Sequence, residues 1–193
     1  SKEHKAFNDY ATAHGIDVDY MHRRVGKLLK FTHKALSHKQ QLAVTCALEH
    51  FTATIANQLM KREDINGLMI DPMMRKMWLW HAVEESEHKS VCYDAYQRLY
   101  KNSYGTRASF MMLAWSILAL VLVEQQVRLM AKDKQLLNFP SWRRGMWTLF
   151  GYKGFLSELV VPLLDYFRPG FHPEDHFSDD MEAKYKAQLK FDN

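Results

Sequence analysis

Apolar positions recur at three- and four-residue intervals along most of the chain, the period of helices rather than of strands. Residues 2–14 read as a helix that Gly15 ends. Tyr20, Val25, Leu28, Leu29 and Phe31 mark the apolar stripe of the next one, capped by Asp17 or Asp19 and closing at Leu36. Ser37 caps a third, from His38 to about Arg62, past Leu42, Cys46, Glu49 and Ile55. Asn66-Gly67 signals a turn. Asp71-Pro72 then combines an N-cap residue with proline at the first helical position, where its missing N–H costs nothing. From there one unbroken helix is expected to about Asn102, where Asn-Ser-Tyr-Gly ends it.

The segment from Thr106 to about Lys132 is the most apolar helix, with 16 uncharged residues from Ala108 to Val123. A spanning helix needs roughly 20, so a buried core helix is the expectation. Trp142, Arg143, Arg144, Trp147, Phe150, Tyr152, Lys153 and Phe155 mix aromatics with bases, as interfacial anchors do, and keep a membrane contact through residues 106–155 open. Pro162 should interrupt the apolar stretch 155–167, residues 168–173 should be irregular, and Ser178 or Asp179 should cap a last polar helix.

Glycine (8) and proline (5) are scarce, and the 47% apolar and 25% charged content is that of an ordinary globular chain. The fold class is therefore all-α. Residues 1–104 are expected to form a metal-binding bundle, with residues 105–193 packing on it as part of the same domain. A net charge of +4 with bases spread along the chain and no recognisable module gives no case for nucleic acid. Cys46 and Cys92 form no C-x-x-C pair, which fits a reducing, cytoplasmic setting. Ser1 is already in helical register without a cap, so an upstream part of the gene product is expected.

The chemistry concentrates in Trp-His-Ala-Val-Glu-Glu-Ser-Glu-His, residues 80–88. His81, Glu85 and His88 fall at i, i+4 and i+7 on one helical stripe, which Cys92 extends. Glu85-x-x-His88 is the spacing by which four-helix bundles present a carboxylate and an imidazole to dinuclear sites. A carboxylate can bridge two cations and offset their charge, while neutral imidazole suits iron and zinc. Glu49 sits in an otherwise apolar run of the preceding long helix, where an unpaired carboxylate is costly and a cation removes the cost. Glu49, His81, Glu85 and His88 are thus the candidate metal ligands. Glu84 and Glu87 lie off the stripe and should be the more exposed pair. His50 points about 100° from Glu49 and reads as structural or as a support for a ligand rather than as a ligand itself. Tyr93 or Asp94 could support a ligand histidine. No Gly-x-Ser-x-Gly elbow, phosphate loop or His-Glu-x-x-His occurs.

Glu-His-Lys-Ala-Phe-Asn (3–8), Ala-Leu-Glu-His-Phe-Thr (47–52), the 80–91 segment and Tyr-Phe-Arg-Pro-Gly-Phe-His-Pro (166–173) together resemble the bacterial predicted metal-dependent hydrolases of the ferritin-like superfamily. The likeness runs over nearly the whole chain. It implies a ferritin-like helical bundle with additional C-terminal helices, and two earlier helices supplying a Glu and a Glu-x-x-His just before Glu3 and His4. The stripe 81–88 is also similar to the last ligand helix of the di-iron arylamine N-oxygenases. Together these lead to the expectation of two metal ions, iron foremost with manganese or zinc as alternatives. Oxidase or oxygenase chemistry on a small hydrophobic substrate is the first expectation. Hydrolysis by metal-activated water is the second, and a non-enzymatic protein peripheral to the inner membrane the third. A homo-oligomer stays open.

Overall fold

The computed structural model describes residues 2–101, 103–176 and 179–189, the side chains of residues 2–4 excepted, and these residues form helices and turns with no strand among them. The fold is all-α. Two compact units divide at Gln41 and Leu42.

The first unit holds α1 (Lys2–Ala13) and α2 (Val18–Ala35). Gly15, at φ 73°, turns the chain between them, a left-handed conformation that costs glycine little. The Asp17 carboxylate accepts from the Tyr20 N–H at 2.8 Å and caps α2. No residue of α2 is buried, and Leu29 and Phe31 of its apolar stripe are exposed. Ser37 opens α3 (His38–Lys61): its Oγ accepts from the Gln40 N–H while Gln40 Oε1 accepts from the Ser37 N–H, a reciprocal cap.

From Leu42 onward α3 is the spine of the second unit. Its small residues Ala43, Ala47, Ala53 and Ala56 are buried and let neighbouring helices come close. Three clusters form along it. Near its start, Ala43 and Cys46 pack with Tyr96 of α6 (Val91–Tyr100). Around Ala47, residues Tyr93, Met111, Tyr166 and Phe171 meet. Toward its end, Ala56 and Met60 pack with Leu79, Ala82 and Val83 of α5 (Pro72–Glu87) and Tyr185 of α10 (Asp179–Leu189). Between α3 and α5 lies the short helix α4 (Glu63–Asn66), and Asp71 caps α5 by accepting from the Met73 and Met74 N–H groups.

Two expectations about helices fail. The helix expected over 71–102 is broken at residues 88–90, where His88 ends α5 and Ser90 opens α6. The break turns Lys89 inward, 5% exposed, with its Nζ 3.2 Å from the Glu174 carboxylate and 3.3 Å from the His176 carbonyl. Nor is α7 (Tyr104–Lys132) a core helix: only Arg107, Met111 and Ala114 are buried, all in its first half. After it, α8 (Phe139–Phe150) buries no residue. Pro162 falls in the first turn of α9 (Val160–Asp165), which follows directly on a 3-10 turn at Ser157–Leu159, so it sits where a missing N–H is tolerated rather than at a break. Asp179 begins α10, while Ser178, the other candidate cap, lies outside the described residues.

Candidate metal centre and the C-terminal clasp

The inward face of α5 is Leu79, Ala82, Val83 and Ser86, spaced i, i+3, i+4, i+7. His81 and Glu85 each precede a member of that face by one residue, about 100° around the helix. They therefore occupy its flank, half-buried, with His81 Nε2 and Glu85 Oε1 3.4 Å apart. Glu49, on the flank of α3, is also half-buried. Burial raises its carboxyl above the usual range, the Glu85 charge raises it further, and His88 partly offsets the two. Side chains from helices 36 positions apart in sequence are thus close enough to feel one another's charge.

His88 departs from expectation: it is exposed at the C-terminus of α5, while Glu84 and Glu85 are equally half-buried and Glu87 is exposed, paired with Lys186. The inward-facing pair Glu85 and His88 is thus only half realised, because the helix ends where His88 should have completed the stripe. Cys92, beyond the break, packs beside Cys46. Burial pushes the Cys46 thiol up to about 12 and also raises Cys92, so both stay protonated at neutral pH and neither is a ready nucleophile.

Two carboxylates and two imidazoles are the donor chemistry of hard and borderline divalent cations. The repulsion that raises Glu49 is what a bound cation would relieve, so these residues fit a metal in kind. They do not form a closed cage: among the described residues no group of three or more His, Cys, Asp or Glu is arranged to hold a metal ion. Glu3 and His4, read as the tail of another metal-facing helix, have side chains outside the described set.

The family model described as predicted metal-dependent hydrolase matches residues 1–176. The chain belongs to that family. No curated protein and no solved structure matches it. For a member of the predicted metal-dependent hydrolases, the second polar assembly of this unit is as informative as the first, because it involves the 166–173 motif.

Arg107 is 1% exposed and donates to the carbonyl of Tyr166, which the end of α9 leaves without a helical donor, and to that of Arg168, which also accepts from the Phe171 N–H. Its guanidinium carbon lies 4.7 Å from the Tyr166 ring centroid, 5.3 Å from Tyr104, 5.5 Å from Tyr93 and 5.8 Å from Phe171. Aromatic faces thus solvate a buried cation. Tyr93 donates from its hydroxyl to the Phe171 carbonyl, and His172 Nε2 sits 2.9 Å from Asp94. Tyr93 and Asp94 therefore hold the C-terminal motif, where the sequence suggested support for a ligand histidine. His50 is structural, as its phase on α3 implied: Nε2 donates to the Pro162 carbonyl at 3.2 Å. Burial lowers its pKa to about 4, keeping it neutral. Beside it, His176 pairs with Asp165 at 3.2 Å. Sequence reading missed Arg107 and Lys89; the one available signal for Arg107 was a lone base at the mouth of a long uncharged run.

Proposed function

We propose that the chain carries the ligand-bearing part of a metal-dependent hydrolytic centre, with Glu49, His81, Glu85 and His88 as the protein donors for up to two cations. The observation that supports it best is the electrostatic coupling of Glu49 to both Glu85 and His88 across α3 and α5. A bound divalent cation would supply water acidified toward neutrality, the reagent of metal-assisted hydrolysis. Glu49 and Glu85 would balance the cation charge. His81, 3.4 Å from Glu85, would hold that carboxylate on the flank. His88, exposed at the helix end, lies at the approach from solvent. The rest of the coordination sphere comes, in this proposal, from donors outside the described residues, in the manner of a ferritin-like bundle where facing helices share the ligands.

One feature favours a second reading. His81-x-x-x-Glu85-x-x-His88 is a His/carboxylate set of the type that bundles use for redox iron or manganese, which would make the enzyme an oxidase or oxygenase acting on a hydrophobic organic substrate. Reconstituting the metal-free protein separately with zinc, manganese and ferrous iron decides between the two. Ester or amide hydrolysis restored by zinc supports the hydrolase. Oxygen consumption restored by iron alone, without hydrolysis, moves the assignment to the second reading. A protein that binds none of the three defeats both.

A further inference from the structure

Among the described residues, the stretch from α7 through α8 has an exposed apolar surface and an uneven charge. In the most apolar 18-residue window of α7, 17% of positions are buried. Met112, Leu113, Leu120, Leu122, Val123 and Val127 all face outward. In α8, Phe139, Trp142, Met146, Leu149 and Phe150 fall at i, i+3, i+7, i+10 and i+11, one side of a helix, yet none is buried. Trp147 and Tyr152 add exposed rings of 70% and 85%. The chain has 26 bases and 22 acids, of which residues 108–156 hold six and two. Elsewhere the count is even, so the whole surplus of positive charge coincides with the exposed apolar surface. Arg128, Lys132, Lys134, Arg143, Arg144 and Lys153 are all exposed.

We infer that α8 and the second half of α7 insert in-plane into one leaflet of an anionic bilayer. Charge complementarity identifies the occupant: apolar and aromatic side chains ringed by bases suit acyl chains beneath acidic headgroups. By length and composition α7 is sufficient to cross a bilayer, but two observations favour lying in the plane. The first half of α7 is held in the fold by Arg107, Met111 and Ala114. The uncharged run of 16 residues measures about 24 Å at 1.5 Å per residue, short of the roughly 30 Å hydrocarbon core. This inference is independent of which reaction the metal centre performs.

Flotation of the protein with vesicles of phosphatidylcholine, with and without phosphatidylglycerol, tests it. Binding should require the anionic lipid and weaken with added salt. At about 1 kcal/mol per base near an anionic surface, Arg143→Gln with Arg144→Gln should lower partitioning roughly thirtyfold. Met146→Asp with Phe150→Asp should abolish it, while Ile70→Asp, at a still more exposed apolar site elsewhere, should leave it unchanged. Equal binding to neutral vesicles, or no binding by folded protein, overturns the inference. So does a lipid-free dimer, measured by ultracentrifugation, that the Met146/Phe150 variant dissociates, since a second copy would then be the occupant.

Discussion

Acidification should destabilise the second unit through His50, and a variant isolates the effect. The imidazole is buried against Tyr166 and Phe171, with ring centroids at 5.0 and 5.1 Å, and it hydrogen-bonds to the Pro162 carbonyl. Burial is the largest cause of its fall from 6.5 to about 4; the nearby His176 and Arg107 charges lower it too, and Pro162 and Asp165 oppose them. The sign follows from proton counting. Above pH 6.5 the residue is neutral whether folded or not, and contributes no pH dependence. Below it the unfolded chain binds the proton first, so stability falls as pH falls, until the folded state protonates near pH 4. At about 1.4 kcal/mol for each pH interval of one, the loss is about 2 kcal/mol near pH 5 and about 3 kcal/mol near pH 4. With a urea slope of roughly 2 kcal/mol per molar, the midpoint should drop by about 1 M between pH 7 and pH 5 from this group alone. His50→Gln keeps a donor for the Pro162 carbonyl and removes the titration. Other histidines and carboxylates titrate in both proteins, so the difference in slope between them is the readout. Parallel midpoint-versus-pH curves for wild type and His50→Gln would refute the reasoning.

Arg107→Met should cost about 2 kcal/mol, since the Tyr166 carbonyl loses its guanidinium donor at roughly 1–3 kcal/mol while the Arg168 carbonyl keeps the Phe171 N–H, and thermal denaturation reads it; a neutral result would mean water replaces the guanidinium. Tyr185 donates to the Met60 carbonyl at 3.0 Å and accepts from Asn66. Tyr185→Phe should cost about 1 kcal/mol and speed amide exchange in α10 before the rest of the unit. Lys89→Met preserves volume and leaves Glu174, already half-exposed, to water, but takes a donor from the His176 carbonyl, so it should cost about 1 kcal/mol. Lys89→Ala should cost more through the cavity, and urea denaturation of the two variants checks the order.

Helix starts were legible wherever a local side chain supplies the missing partner. Asp17, Ser37 and Asp71 each cap the helix that follows, because the cap is a contact within four residues and sequence spacing determines it. Boundaries set by distant partners were not legible. The break at residues 88–90 accompanies the burial of Lys89, whose partners Glu174 and His176 lie more than 80 positions away. For the same reason, a 3.6-residue period run through His88 to Cys92 could not register that α5 stops. Periodicity also names the residues of a stripe without saying which neighbour covers it: His81 and Glu85 share a face as expected, yet that face is the flank of α5 and Ser86 is the buried member. In α7 low charge suggested core, because composition cannot distinguish apolar surface facing protein from apolar surface facing outward. The 166–173 motif was recognisable as a motif, but its role as a clasp depends on Arg107, Tyr93 and Asp94, which only the fold brings to it.

The central claim is that the flank shared by α3 and α5 binds metal. Metal content of the protein, measured by mass spectrometry after saturation and desalting, tests it with three variants. Glu85→Gln and Glu49→Gln remove a carboxylate each but keep shape, and each should lose most of at least one metal equivalent. Glu84→Gln, the adjacent residue about 100° around the helix, should retain the wild-type content. Equal losses at positions 84 and 85, or a wild-type protein that retains no metal, would contradict the account.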